Sequence, residues 1–241
     1  MNFKMLKAYI SAYDNPTYVM FRTALNRFPF TANLRNGLDV EIKSKRHAWF
    51  FATLHGLDIT FVNDRFIQFR YKDRVLKFYF DINGFAAFGE IFRDGIYDVD
   101  VKGRTVVDVG AGIGDSSIYF ALNGAKKVYA FDVDTTYLEK NIKENNLKDV
   151  VEPIRCECGL SNNLDIITLK YNIPHGSVLK VDCEGCKYNF FSSPRLINRY
   201  HAIIIEYHNG VQHFADLLRG FNVVIRGNKK KIGLIYARRL E

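Results

Sequence analysis

Three glycines and a set of carboxylates in the second half of the chain are the residues whose types and spacing could do chemistry. The stretch VVDVGAGIGDSS, residues 106–117, sets Gly110, Gly112 and Gly114 between an apolar strand-like run, Thr105–Val109, and a helical pattern that opens at Asp115. Glycine permits a tight turn and lets a ligand approach the backbone closely. A strand, a glycine loop and a helix in that order bind ligands at the helix N-terminus. The next strand-like run, Lys127–Phe131, is followed by Asp132, 18 residues beyond Gly114 (132 − 114). A carboxylate at that place can accept both hydroxyl hydrogens of a ribose.

Dinucleotides and S-adenosylmethionine both use this layout. The spacing here is GxGxG rather than GxGxxG, and Asp108 lies inside the strand two residues before Gly110. A carboxylate beside the loop suits a ligand with an ammonium group and would repel a pyrophosphate. The loop also arrives after residue 100, and the chain closes on two strand-like runs, Phe221–Ile225 and Ile232–Tyr236, around the turn signal Gly227–Asn228. These features favour S-adenosylmethionine.

A second constellation follows in SVLKVDCEGCKYNFF, residues 177–191, where an apolar strand delivers Asp182 and Glu184 to its carboxyl end. Open α/β sheets bind ligands at that end of their strands, although carboxylates also favour helix N-termini for electrostatic reasons alone. His208 follows the apolar run Ala202–Ile205, and histidine is the residue type most often used for proton transfer. Asp182, Glu184 and His208 are therefore the candidate acid–base groups. The four cysteines, Cys156, Cys158, Cys183 and Cys186, have CxC and CxxC spacings that invite a zinc reading. Each pair follows a strand-like run, and reduced thiols without a metal are expected.

The elements that must position these groups divide the chain in two. The first ~55 residues carry loosely helical apolar spacing (Met5, Leu6, Tyr9 and Ile10, then Val19, Met20, Ala24 and Leu25). Asp58–Val62, Arg65–Tyr71 and Arg74–Phe80 then read as a β-meander joined by the short links Asn63–Asp64 and Lys72–Asp73. After Gly103 strands alternate with helices: helices over Asp115–Leu122 and Thr135–Asn145, and further strands over Val150–Cys156, Val178–Val181 and Ala202–Glu206. That alternation predicts an α/β fold with a mostly parallel sheet covered on both faces. Within Ser161–Tyr171 the sequence LDIITLKY reads as strand, which leaves the helix expected before the fourth strand missing or replaced. The predicted division is 1–95, a helical and β-meander region, and 96–241, the cofactor-binding domain.

Composition narrows the class further. The chain has 241 residues, 48% hydrophobic and 25% charged, with a formal net charge of +8. Such usage excludes a disordered, collagen-like or coiled-coil chain. No apolar run approaches the roughly 20 residues of a membrane span, and the N-terminus lacks a signal-peptide core, so a cytoplasmic protein is expected. The basic balance is compatible with nucleic acid, an anionic surface or an acidic substrate. The one tight cluster is Lys229–Lys230–Lys231.

Together the motifs resemble the FkbM family of S-adenosylmethionine-dependent methyltransferases. Its signature, K-x-D-x-E-G-x-E, stands here as Lys180-Val181-Asp182-Cys183-Glu184-Gly185-Cys186-Lys187, with lysine at the last acidic place. Its glycine loop, V-D-x-G-A-x-x-G, matches Val107 to Gly114, which adds Ala111 to Gly110 and Gly112 among the cofactor-binding positions. The resemblance covers roughly residues 85–225 and implies a seven-stranded Rossmann-like methyltransferase sheet. It also implies methylation of a hydroxyl on a small molecule, sugar or glycan. On this basis Asp108 acts through the loop on the cofactor's amino group, Asp132 on the ribose and Glu157 on the adenine amino group. Glu90 closes over the cofactor's amino-acid end. The implied strand order separates the two cysteine pairs by three strand steps, about 14 Å, too far for one zinc ion. RNA is the alternative acceptor and is disfavoured because DCEG stands where amino-methylating nucleic-acid enzymes carry [ND]-P-P-[YF]. A non-catalytic S-adenosylmethionine-binding protein is the remaining alternative.

Overall fold

The computed structural model describes residues 3–82, 84, 86–192 and 194–240. It forms two compact units, 1–96 and 97–241.

The first unit holds helices α1 (Phe3–Ala12), α2 (Pro16–Ala24) and α3 (Lys45–Thr53). Asn15 caps α2 by accepting from the Tyr18 amide, and Ser44 caps α3 by accepting from the His47 amide. Such side-chain caps satisfy backbone donors that a helix start leaves free. Strands β1 (Phe30–Asn33) and β2 (Asp39–Ile42) pair antiparallel, a hairpin inside the stretch expected to be helical. Four-residue strands are too short to register as period-two patterning, which explains the miss. The meander is a three-stranded antiparallel sheet of β3 (Asp58–Val62), β4 (Phe66–Tyr71) and β5 (Arg74–Tyr79). Phe69, Phe78, Phe88 and Phe92 pack around one another on it, with ring centroids 4.9–6.0 Å apart. A π-helical turn, Gly89–Arg93, ends the unit.

The second unit is a seven-stranded sheet. Its elements are β6 (Thr105–Val109), α4 (Asp115–Leu122), β7 (Lys127–Asp132), α5 (Thr136–Glu144), β8 (Val151–Arg155), α6 (Leu164–Lys170), β9 (Ser177–Val181), α7 (Lys187–Phe190), β10 (Tyr200–His208), β11 (Phe221–Gly227) and β12 (Ile232–Arg239). The strand order is β11-β12-β10-β9-β6-β7-β8. All neighbours run parallel except at β12, which is antiparallel to both β10 and β11. This is the Rossmann-like methyltransferase sheet with its terminal hairpin. Every residue of β6 and β9 is buried, as central parallel strands require. One face packs Val107, Val109, Leu179, Val181, Ile203 and Ile205 against α6, Phe190 and Phe214.

One expected strand is a helix. LDIITLKY forms α6, with Asn163 accepting from the Ile166 amide at its start. Leu164, Ile167 and Thr168 are buried while Ile166 and Leu169 are exposed, a helical spacing. The isoleucines and threonine raise strand propensity, but tertiary burial of one face outweighs that preference. The crossover between the third and fourth parallel strands is therefore an ordinary helical one.

Two buried charges hold the centre of the sheet. Lys180 on β9 pairs with Asp108 on the neighbouring β6 at 3.0 Å, both almost fully enclosed. The Ser116 and Ser117 hydroxyls donate to Asp108 at 2.7 and 2.6 Å. Breaking a buried ion pair by removing one partner costs about 3–5 kcal/mol. Asp108→Asn should lose stability of that order in denaturant unfolding, and Asp108→Asn/Lys180→Met should lose less than Lys180→Met and Asp108→Asn summed.

Candidate active site

The glycine loop lies where β6 meets α4. Gly110, Gly112 and Gly114 all have positive φ (+76°, +54° and +91°), and Gly114 is the N-cap of α4. Gly110 is required twice over, because a Cβ there would sit 2.0 Å from the Asp182 carbonyl oxygen. The Gly110 and Ala111 amides donate to the Phe131 carbonyl at 2.9 and 3.0 Å, and Lys180 Nζ donates to the Gly110 carbonyl at 2.7 Å. Gly112 is different, since nothing lies within 4 Å of where its Cβ would point. Its amide donates to Asp132 Oδ2 at 2.7 Å. The loop and the acid at the end of β7 are therefore one unit.

The second group gathers at the carboxyl ends of β9 and β10. Asp182 accepts from the Tyr97 hydroxyl at 2.7 Å and shares a hydrogen bond with Glu206. His208 Nε2 lies 3.0 Å from Glu206 Oε2 and 3.8 Å from Glu184 Oε1. Lys187 is buried, with Nζ 3.7 Å from Glu206 Oε2, too far for a hydrogen bond.

The carboxylates separate sharply in proton affinity. Burial works to raise Asp182, but Lys180 first, then the hydrogen bonds from Glu206 and Tyr97 and the charge of Lys187, hold it down to about 2. Burial and the neighbouring Asp182 charge push Glu206 up to about 7, against the opposing pull of His208 and Lys187. Two carboxylates this close cannot both ionise freely, so their protons belong to the pair. Burial opposes the charge on Lys180, yet Asp108 and Asp182 outweigh it and its pKa is raised.

The expected site residues fall into three groups. Glu184 and His208 meet beside Glu206, through which Asp182 is linked to them, and Glu184 is largely exposed. Gly110, Ala111, Gly112 and Asp132 form the loop. Asp108 is enclosed by Lys180 and two serines, so it acts on the loop from beneath rather than on a ligand directly. Glu157 is exposed in the segment after β8. Glu90 belongs to the first unit, on the π-helical turn, where it pairs with Lys4 at 3.0 Å. Sequence reading under-weighted Glu206 and missed Tyr97 and Lys187. The apolar run before Glu206 was the signal available for it; nothing local marks Tyr97.

The cysteines correct one expectation. Cys183 and Cys186 are joined by a disulfide, whereas reduced thiols were expected. The turn through Glu184 and Gly185, with Gly185 at φ +74°, brings the two cysteines together with Cα atoms 5.6 Å apart. Cys156 and Cys158 are free thiols with sulfurs 3.9 Å apart, and burial pushes the Cys158 thiol up. β8 and β9 stand three strand steps apart in the sheet. Among the described residues Glu184, Glu206 and His208 bring possible metal-ligand atoms within 4.8 Å of one another. The Lys187 ammonium already supplies positive charge beside Glu206.

Comparison with known proteins follows this geometry. Residues 85–171 match the family model described as the TRM5/TYW2 methyltransferase domain. The second unit is a methyltransferase domain of the S-adenosylmethionine-dependent class. The chain is 51% identical over 53 residues to ribosomal protein L11 methyltransferase of Anoxybacillus flavithermus, a match spanning 21% of this chain and 17% of that enzyme. It is 29% identical over 123 residues to uncharacterized protein 158B of Sulfolobus islandicus rod-shaped virus 1, covering 50% of this chain and 71% of that protein. The structure of aTrm5 in complex with tRNALeu aligns with a TM-score of 0.49 at 17% identity, over 77% of this chain and 54% of that one. FkbM membership is not what the family match gives; the shared class is the methyltransferase domain. No helix among the described residues is long and apolar enough to cross a membrane.

Gly110 and Gly112 should respond differently to substitution. Gly110→Ala meets a backbone carbonyl as well as a left-handed φ and should lower stability well beyond the about 1–3 kcal/mol of backbone strain alone. Gly112→Ala should cost only that strain and should weaken S-adenosylmethionine binding, because its Cβ enters the open side of the loop. Thermal unfolding and calorimetry on both variants check this.

Proposed function

We propose that the protein transfers the methyl group of S-adenosylmethionine to RNA, with Glu206 removing the acceptor's proton. The observation that carries this reading is the Asp182–Glu206 pair beside the glycine loop, one member held ionised and the other titrating near neutrality. Methyl transfer from a sulfonium is an in-line displacement, so much of the acceleration comes from holding the acceptor atom, methyl carbon and sulfur aligned. An acceptor hydroxyl or ring N–H must also lose its proton as the new bond forms. A base with a pKa near the working pH does that most effectively. Asp182, held near 2, is too weak a base for the task. In this reading it anchors the pair through Tyr97 and sets the proton affinity of Glu206 by its charge.

Two features support RNA over a small acceptor. The matched family model carries the name of Trm5, and an aTrm5 has been solved bound to tRNALeu. The chain also carries a net charge of +8. The second reading, a hydroxyl on a small molecule or glycan, keeps one observation in its favour, the run Lys180 to Gly185 that resembles hydroxyl-methylating enzymes. In the cofactor-binding part, Asp132 is suited to hold the ribose hydroxyls and Gly110 to Gly112 to meet the methionine moiety. Glu157 is the candidate for the adenine amino group.

The acceptor is tested by incubating the protein with an extract and methyl-labelled S-adenosylmethionine, then separating RNA, protein, lipid and glycan. Label should enter RNA and become soluble on ribonuclease treatment; label confined to glycan or small molecules would contradict the proposal. With an acceptor in hand, turnover should rise with pH through about 7 as Glu206 ionises. Glu206→Gln should remove that limb and lower turnover by about 10²–10⁴-fold. Asp182→Asn removes the charge that raises Glu206, so the limb should move to lower pH.

A further inference from the structure

We infer that the hairpin of β11 and β12 is the surface along which the RNA strand runs as it enters the transfer site; this rests on the RNA reading above. The segment 221–239 contains six cations, Arg226, Lys229, Lys230, Lys231, Arg238 and Arg239, and no acidic residue. Four of them cluster at one end. Ile232 pairs with His208 across β12 and β10, so Lys229–Lys231 sit at the same end of the sheet as the acid pair. All three lysines are exposed, and among the described residues none of them pairs with a carboxylate. An Asx-type turn fixes them: the Lys230 amide donates to Asn228 Oδ1 at 3.0 Å and the Lys231 amide to the Asn228 carbonyl at 2.9 Å.

The register continues this charge toward the chemistry. Glu206 pairs with Leu234, and Leu234 pairs with Arg226, so the three share one face of the sheet in one row. Two strand steps separate Arg226 from Glu206, about 10 Å. The Arg226 guanidinium stacks 4.8 Å from the Tyr236 ring centroid, and Val224, opposite Tyr236, is 53% exposed. A run of exposed cations with an aromatic and an aliphatic surface beside it suits a single-stranded nucleic acid, phosphates on the charges and bases on the flat faces. Arg239 is excluded from this role because its guanidinium donates to the Asn198 carbonyl.

The test measures binding of a short mixed-sequence single-stranded RNA, without turnover, across a salt series. The variant Lys229→Ala/Lys230→Ala/Lys231→Ala is compared with Lys102→Ala/Lys126→Ala/Lys148→Ala, which removes the same charge at the opposite ends of the parallel strands. Each lost phosphate contact should reduce the slope of log K against log salt by about 0.7. The hairpin variant should therefore lose about two units of slope and at least tenfold in affinity at moderate salt, with an unchanged melting temperature, while the control variant stays near wild type. Equal losses in both variants would mean diffuse charge and overturn the inference. An unchanged slope in the hairpin variant, with wild type binding RNA and methylating it, would overturn the hairpin assignment alone. Wild type that ignores RNA but binds phosphatidylserine vesicles would overturn both this inference and the RNA reading.

Discussion

The buried ammonium of Lys180 is the group on which the rest of the site depends. It sits on a central strand with its side chain 3% exposed, a position a cation occupies only if its charge is matched. Asp108 matches it, and the Gly110 carbonyl takes a further N–H. The same charge depresses Asp182 one turn of the strand pleat further on. One side chain thus ties the cofactor loop on β6 to the acid pair on β9 and β10. Lose that charge and the loop carbonyl, the Asp108 carboxylate and the ionised Asp182 all lose their shared partner.

From that point the chemistry follows by electrostatics. An ionised Asp182 beside a half-buried Glu206 forces the second carboxyl to hold its proton longer. The result is one carboxylate held ionised and a second that keeps its proton to higher pH, two identical functional groups whose proton affinities are divided by environment. Lys187 and His208 moderate the pair from the other side. The disulfide between Cys183 and Cys186 closes the turn that carries Glu184 directly after Asp182.

Much of this was legible in the residues themselves. Gly110, Gly112, Gly114 and Asp132 announce a strand–loop–helix turn because each is dictated by local geometry: a left-handed turn, a close backbone approach, a strand end. The alternation of apolar runs and helical patterns gave the sheet and its terminal hairpin. What stayed hidden depends on distance in space. The α6 segment reads as strand because its isoleucines are β-branched; only the surface it meets decides the outcome. Glu206 is an ordinary strand-end carboxylate until Asp182 is placed beside it, and Tyr97 meets Asp182 across 85 residues of sequence. Asp108 reads from the sequence as acting through the loop, but the ion pair that encloses it stayed hidden because Lys180 lies 72 residues away (180 − 108). The bond between Cys183 and Cys186 was missed because spacing alone does not distinguish a closed turn from two free thiols.

The central claim is that the loop set by Lys180 and Asp108 is a S-adenosylmethionine site with Asp132 holding the ribose. Calorimetric titration of the wild-type protein and Asp132→Ala with S-adenosylmethionine, its demethylated product and NAD tests it directly. The account predicts binding of the first two to wild type and none of NAD. It also predicts a ten- to hundredfold loss in Asp132→Ala, the equivalent of losing a charged-acceptor contact worth about 1.5–3 kcal/mol. Wild-type binding to NAD but not to S-adenosylmethionine, or an Asp132→Ala variant that binds as tightly as wild type, would contradict it.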